Sequence, residues 1–517
     1  MQLFKRTRKK SAKRVAHAQV QRGFQAAQVD RLLAGWRFDG GFTPAEVRAH
    51  LSVIRGRSRE LAKDSPHYKK WLSQCTTNIV GEGFALKSKP HDGVPGSSQF
   101  KLDEQAARFI EYHWNRFCTY RDPVTKQTWC DATGRKTDAE IDRLNVKTWK
   151  RDGEYFIWTV RTSANPYGIT WRVLRPDWCD HNYNVKKTAN GNEVQCGVEM
   201  DPASRRPVAY YFLTTKEDAH VTSTAGLPLR RIPATEIIHG YTQEDEDQPR
   251  GIPGAHAIMA KLKMVEELDK AELTAARDEA CSVRTYYAPK GAEEEILDLT
   301  DPDNSSVVGA LTAEKEAGQS EVLPLGWKQE VHTPQHPNKE HAPFKAGILK
   351  DIASGVSLEY ANFANDWSSV SFSSVRLGTI SERDAWKVDQ ADMVSQCKSP
   401  QFLAWLQSFL SLAISGEYPA EKFEKFAEHE YRGRRWMWVD PMKDMAAAVV
   451  AADHGWRTNT QITSDLGGDF DDNVDEIKRE AGITEGTPLA NNGDPAERAA
   501  RVVEGVAKTE TSNAQAQ

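Results

Sequence analysis

Asp469, Asp471, Asn473, Asp475 and Glu480 follow the spacing of the oxygen donors at positions 1, 3, 5, 7 and 12 of an EF-hand calcium loop. Val474 stands where the sharp turn of that loop needs glycine, and no helical pattern leads into it. Acids are also favoured at a helix start by the macrodipole, so "DFDDNVDEIKRE" reads better as the first turns of a helix. Cys179 and His181 are near enough to share a metal, but no second pair lies close by, so they read as a strand-end cysteine and a polar histidine. The motifs GxxxxGK(S/T), HExxH and GxSxG are absent, so the sequence offers no Walker A loop and no motor activity. We expect no catalytic residues, no metal and no cofactor. One stretch remains, "FANDWSSVSFSSVRLG" at 363–378, with five serines and with Phe363, Trp367 and Phe372 among them. Taken alone it reads equally well as a polar connection with buried aromatic anchors or as a functional loop.

What must position such residues follows from composition and periodicity. A chain of 517 residues exceeds one core, so two to four domains are expected. An apolar fraction of 39% with 15 Trp supports packed cores, and a net charge of −5 does not advertise a nucleic-acid binder. The longest purely apolar run, "MAAAVVAA" at 445–452, is far short of the ~20 residues of a membrane span. No apolar segment of a secretory signal follows the basic N-terminus. Seven scattered cysteines without a CxxC pair read as free thiols.

Residues 1–14 hold seven Lys/Arg and no acid, which reads as a solvated arm or as one touching nucleic acid or a partner's acidic surface. Residues 45–80 look helical, with Thr43, Pro44 and Glu46 as start signals and the glycines of "NIVGEGF" as breakers. From about 150 to 241 the period is two, which predicts strands over 154–160, 170–174, 207–213 and 236–241. Helical period returns at 255–280, where Ile258, Leu262 and Val265 share a face, and at 343–356, where Phe344, Ile348, Ile352 and Val356 do. Between them, 291–340 carries eleven acids against three lysines. A long helix over 381–414 should kink or split at Pro400, and helical patterns follow at 441–455 and 469–483.

The order of these pieces, and four local motifs, resemble the lambda-type portal proteins of tailed bacteriophages. The motifs are "RGRSRELAKDSPHYKKWLSQCTTNIVGEGF" (55–84), "EIIHGYTQEDEDQPRGIPG" (236–254), "SSVSFSSVRLG" (368–378) and "WVDPMKDMAAAVVAADHGWRTNTQITSDLGGDFDDNVDEIKRE" (438–480). The resemblance spans about 45–480 and implies an α+β portal fold. Its parts are a mixed α/β wing, a two-helix stem, a small clip, a tunnel loop, a long kinked helix and a helical crown, assembled as a ring. Mapped here, the basic arm is 1–30, the wing 31–252, the first stem helix 253–285 and the clip 286–341. The second stem helix is then 342–358, the tunnel loop 359–376, the kinked wing helix 377–415, the crown 416–480 and a disordered tail 481–517.

The resemblance further implies a virion protein of the capsid vertex, assembled in the host bacterial cytoplasm and with no membrane partner. Its partners are its own copies (twelve in the usual ring), double-stranded DNA recognised without regard to sequence, the terminase large subunit, a head-tail adaptor, and the major capsid and scaffolding proteins. Trp367, Ser368, Ser369, Ser371, Ser373, Ser374 and Arg376 would line the channel and meet DNA. Arg376 would touch phosphate or pair with an acid such as Glu382 or Asp384. Glu293, Glu294, Glu295, Asp298, Asp301 and Asp303 would form the acidic docking face of the clip. A serine-rich loop suits such a channel, because each phosphate held by Lys or Arg strengthens binding and a ring multiplies the contact. The readings set against this one are a head-completion or scaffold protein without a channel and, less favoured, a metal-dependent enzyme acting on nucleic acid.

Overall fold

The computed structural model describes residues 43–93, 100–214, 228–280, 284–287, 328–331, 340–368, 371–416, 418–437 and 440–484. The six acidic residues of the expected docking face, Glu293 to Asp303, lie outside the described residues, as do the basic arm and the tail.

Two helices open the described chain, Pro44–Asp64 and Pro66–Ile79. The Thr43 hydroxyl accepts from the Glu46 amide at 3.4 Å, and Pro44 takes the first turn, where its missing N–H costs nothing. The single helical region read from sequence divides at Ser65–Pro66. Ser65 closes the first helix with its own N–H and caps the second by accepting from the Tyr68 amide. Gly81 and Gly83, at φ 60° and 132°, then turn the chain away.

All four strands expected between 150 and 241 are present. Glu154–Arg161 is the centre of a three-stranded antiparallel sheet, flanked by Ile169–Leu174 and Ile237–Tyr241. Pro207–Leu213 belongs to a second sheet with Glu193–Gln195, Val198–Met200 and Leu229–Pro233. Glu193–Gln195 and Val198–Met200 escaped the sequence reading because they have three residues each and turn on Cys196, a non-glycine residue at φ 51°. Phe156, Leu174, Val198, Met200, Tyr210, Phe212, Ile232 and Ile237 close a small core between the two sheets. The larger core joins the helices, and it contains Trp71, Trp114, Trp149, Trp171, Trp386 and Trp405.

Ile258, just before the helix Met259–Ala280, and Leu262 and Val265 in its first turns are buried, as their spacing predicts. The helix packs against His341–Ser354, with Lys345 2.7 Å from Asp269 across the pair. Phe344, expected on the buried face, is instead 60% exposed, whereas Ile352 is fully buried. A four-residue step drifts around a helix, so the stripe starting at Phe344 does not stay under one neighbour.

Two corrections concern boundaries. The long helix begins at Phe372, not 377, because Ser371 caps it. It runs to Met393, passes through a π turn at Val394–Lys398 and continues as Ser399–Leu410, so the disturbance expected from Pro400 is taken up just before it. The region assigned to a helical crown from 416 onward is not helical at first. His429–Arg432 is a strand paired antiparallel with Ala85–Ser88, and Phe426 and Tyr431 are buried in the larger core. Helices follow at Pro441–Asp453, Asn459–Asp465 and Phe470–Thr484.

Candidate channel loop and the junctions that hold it

The serine stretch is tied down at its base and open at its tip. The short helix Tyr360–Ala364 buries Phe363 to 1% exposure, against His67 at 5.4 Å. Asn365 ends it in the left-handed region, φ 58°. Lys70 reaches from the second helix to the Asn362 carbonyl and the Asn365 side chain. On the other side the buried Glu382 carboxylate accepts from the Asn362 amide at 3.0 and 3.1 Å, from the Glu359 N–H at 3.2 Å and from the Trp386 indole at 3.2 Å. Phe363 is therefore the buried anchor, while Trp367 is 51% exposed.

At the tip, Asp366 accepts from the Ser368 N–H and hydroxyl and from Tyr360. These bonds, Ser368 first, hold its carboxyl below the usual range. Ser368, Ser371, Ser373 and Ser374 are exposed; Ser369 is outside the described residues. Ser371 is the helix cap, accepting from the Ser374 N–H at 3.3 Å. Ser373 and Ser374 therefore lie in the first helical turn, where serine is well tolerated, and not in the loop. Ser371→Ala should cost about 1 kcal/mol, and exposed Ser373→Ala should stay within about 0.5 kcal/mol. Melting temperatures of the two variants check this.

Arg376 pairs with neither acid expected for it. Its guanidinium lies 2.9 Å from Asp444 on the helix Pro441–Asp453, because Glu382 is committed to the loop base and Asp384 to Lys387. The loop-side helix is thereby linked to the C-terminal helices across a cleft of about 350 Å³ whose lining includes Ile380, Arg383, Ala448 and Arg457.

Two buried ionic junctions set the scaffold, and sequence reasoning missed both. Arg250, from the "QPRGIPG" motif, is fully buried. It donates to both oxygens of Glu154 at 2.5–3.0 Å and to the carbonyls of Pro176, Cys179 and Cys196. Arg55 reaches the same carboxylate at 2.6 Å, His239 does at 3.0 Å, and the Gly251 N–H does at 3.0 Å. Burial alone would push the Glu154 carboxyl up; Arg250 and Arg55 outweigh it and hold it well below the usual carboxylate range. Burial pushes the His239 imidazole down, which leaves it neutral and able to donate. Gly251 is required here, since a Cβ would meet the Gly153 carbonyl oxygen at 2.1 Å.

The second junction lies under the π turn. Lys398, fully buried, lies at ion-pair distance from the carboxyls of Asp138 and Asp142, the latter at 3.0 Å. Asp138, Asp142 and Asn145 share one buried face of the helix Asp138–Asp152. A polar stripe at i, i+4 and i+7 was the available signal.

The calcium-loop spacing resolves as the sequence favoured. Asp469 accepts from the Asp471 N–H at the start of Phe470–Thr484 and pairs with Arg432, so this window is a helix start. Cys179 is buried beside Arg250, but it closes the short turn Pro176–Trp178 and is not at a strand end; the six described cysteines are free.

A family profile described as phage portal protein, lambda family, matches residues 29–390. This chain belongs to that family. It is 28% identical over 468 residues to the probable portal protein of Halomonas phage phiHAP-1, covering 89% of this chain and 86% of that one. It is 21% identical over 473 residues to portal protein B of Escherichia phage lambda, covering 85% of each. Among solved structures it resembles the neck of a native gene transfer agent particle computed with C12 symmetry, at a TM-score of 0.43 and 13% identity, over 80% of this chain and 93% of that one. It also resembles an HK97-family phage portal protein from Corynebacterium diphtheriae, at a TM-score of 0.29 and 10% identity, over 75% and 94%. Of the four motifs, the first two and the serine stretch fall within the profile match, and the C-terminal pattern at 438–480 lies beyond it.

Proposed function

We propose that this portal protein forms a closed ring, of twelve copies in the usual arrangement, at one vertex of a phage capsid. Double-stranded DNA passes through its centre during packaging and again during ejection. The observation that carries the reading is the family match over residues 29–390. The loop geometry supports its DNA-facing part: Phe363, Lys70 and Glu382 fix the base, and Trp367 and Ser368 stand exposed at the tip. A tip of hydroxyls and one aromatic, with Arg376 drawn aside by Asp444, offers DNA weak contacts and no fixed cation. The role is structural and not enzymatic, with DNA driven by a separate terminase. The acidic segment 291–340 docks that motor and later a head-tail adaptor, its charge steering basic partner surfaces. The protein is a component of the virion, built in the host bacterial cytoplasm together with the capsid and scaffolding proteins. Among the described residues no helix is long and apolar enough to cross a membrane.

Negative-stain images of the purified protein should show rings with a central pore. Trp367→Ala should leave ring yield and melting temperature unchanged and reduce the length of packaged DNA. Particles without a pore would defeat the reading, and a folding defect without a packaging defect would place Trp367 outside the channel.

A further inference from the structure

We propose that an apolar groove on the first turns of the helix Pro44–Asp64 is the seat of this chain's own residues 31–38. Val47 and Leu51 make its floor. They are 3% and 1% exposed, yet they belong to neither of the two hydrophobic cores. Ile54 and Ile252 form the walls and Glu46, His50 and His256 the rim of a space of about 320 Å³.

The occupant follows from where the described chain starts and what precedes it. Thr43, the first described residue, sits at the head of this helix, and the family match begins upstream of it, at residue 29. The intervening sequence, "VDRLLAGWRFDGGF", carries Leu32, Leu33, Trp36 and Phe38 for the groove and Arg31 and Arg37 for the Glu46 carboxylate. Asp39, Gly40 and Gly41 are turn formers placed to reverse the chain between that segment and the helix. Phe42, just before the cap, and Val47, the fourth helical residue, also have the spacing of a hydrophobic staple, which fixes the angle at which the chain enters. Trp36 brings a large apolar area at low conformational cost. The strap would lead the basic residues 1–14 away from this point of the fold.

Two measurements on the full-length assembled protein test this. Amide hydrogen exchange over residues 47–54 should be slow in the native protein and roughly tenfold faster in Trp36→Ala, as expected for losing one buried aromatic anchor. Exchange that is unchanged overturns the proposal. The pair Trp36→Cys and His50→Cys, oxidised after assembly, should link within one chain; the six described native cysteines are buried and do not compete. A ladder of linked chains on a non-reducing gel means that the segment comes from a neighbouring copy and overturns the proposal, as does failure of the pair to link.

Discussion

Arg250→Ala should cost about 3–5 kcal/mol of stability and prevent recovery of assembled protein. The guanidinium is fully buried, and every one of its nitrogens has an acceptor: Glu154 and three backbone carbonyls. Removing it leaves the buried Glu154 charge with Arg55, His239 and the Gly251 N–H and opens three carbonyls at once. Those carbonyls come from the turn at Pro176, from Cys179 and from the hairpin at Cys196, so the two sheets lose their common tie. Arg250→Lys should fail nearly as badly, because an ammonium has three donors and no planar fork. Arg376→Ala is the control: its pair with Asp444 is partly exposed, and its loss should cost no more than about 1 kcal/mol. Denaturant midpoints for the three variants make the comparison. An Arg250→Ala protein within 1 kcal/mol of wild type would show that the junction is not what holds the sheets.

The features legible in the sequence are the ones whose physics is local. Thr43 with Pro44 and Glu46 announces a helix start within four residues, and the two-residue period of 154–160 needs no partner to be seen. The loop was legible as a break between helices, but not in its limits. Whether Ser373 lies in a loop or in a first turn depends on Ser371 acting as a cap, and the competing serines around it hide that choice. The junctions were hidden by distance along the chain: Glu154 is 99 residues from Arg55 and 96 from Arg250, and Lys398 is 260 from Asp138. No spacing rule connects such residues. The "RGIPG" motif offered a hint, since an arginine among glycines and proline at the head of a helix has few local partners. Phe344 misled because an apolar stripe does not say which neighbour will cover it.

The stability of Asp142→Asn relative to wild type should rise as the pH climbs from about 5 to about 8. The carboxyl is buried against Lys398 and Asp138, with Cys118, Cys397, Tyr155, Tyr431 and Arg143 as the other ionisable groups around it. Burial pushes it up to about 7, and the repulsion from Asp138 adds to this against the pull of Lys398. Asp142 stands 3.0 Å from Lys398, which pulls the other way, and burial outweighs that pull. The folded state therefore keeps a proton that the unfolded chain releases near its ordinary value of 3.8. A group raised in this direction contributes stability that is complete below the unfolded value and is lost as the pH climbs through the folded one. The steepest loss is roughly 1.4 kcal/mol per pH unit. Glu154 and Asp152 are held low and act in the opposite sense, but only in the acid range beneath this window. Asparagine keeps the shape and removes the proton, so the variant should gain on wild type steadily as the pH climbs through this window. Urea midpoints of both proteins across that range measure the gain. Parallel pH profiles would mean that Lys398 keeps Asp142 ionised throughout, and that the π turn rests on a plain ion triad instead of a proton-loaded one.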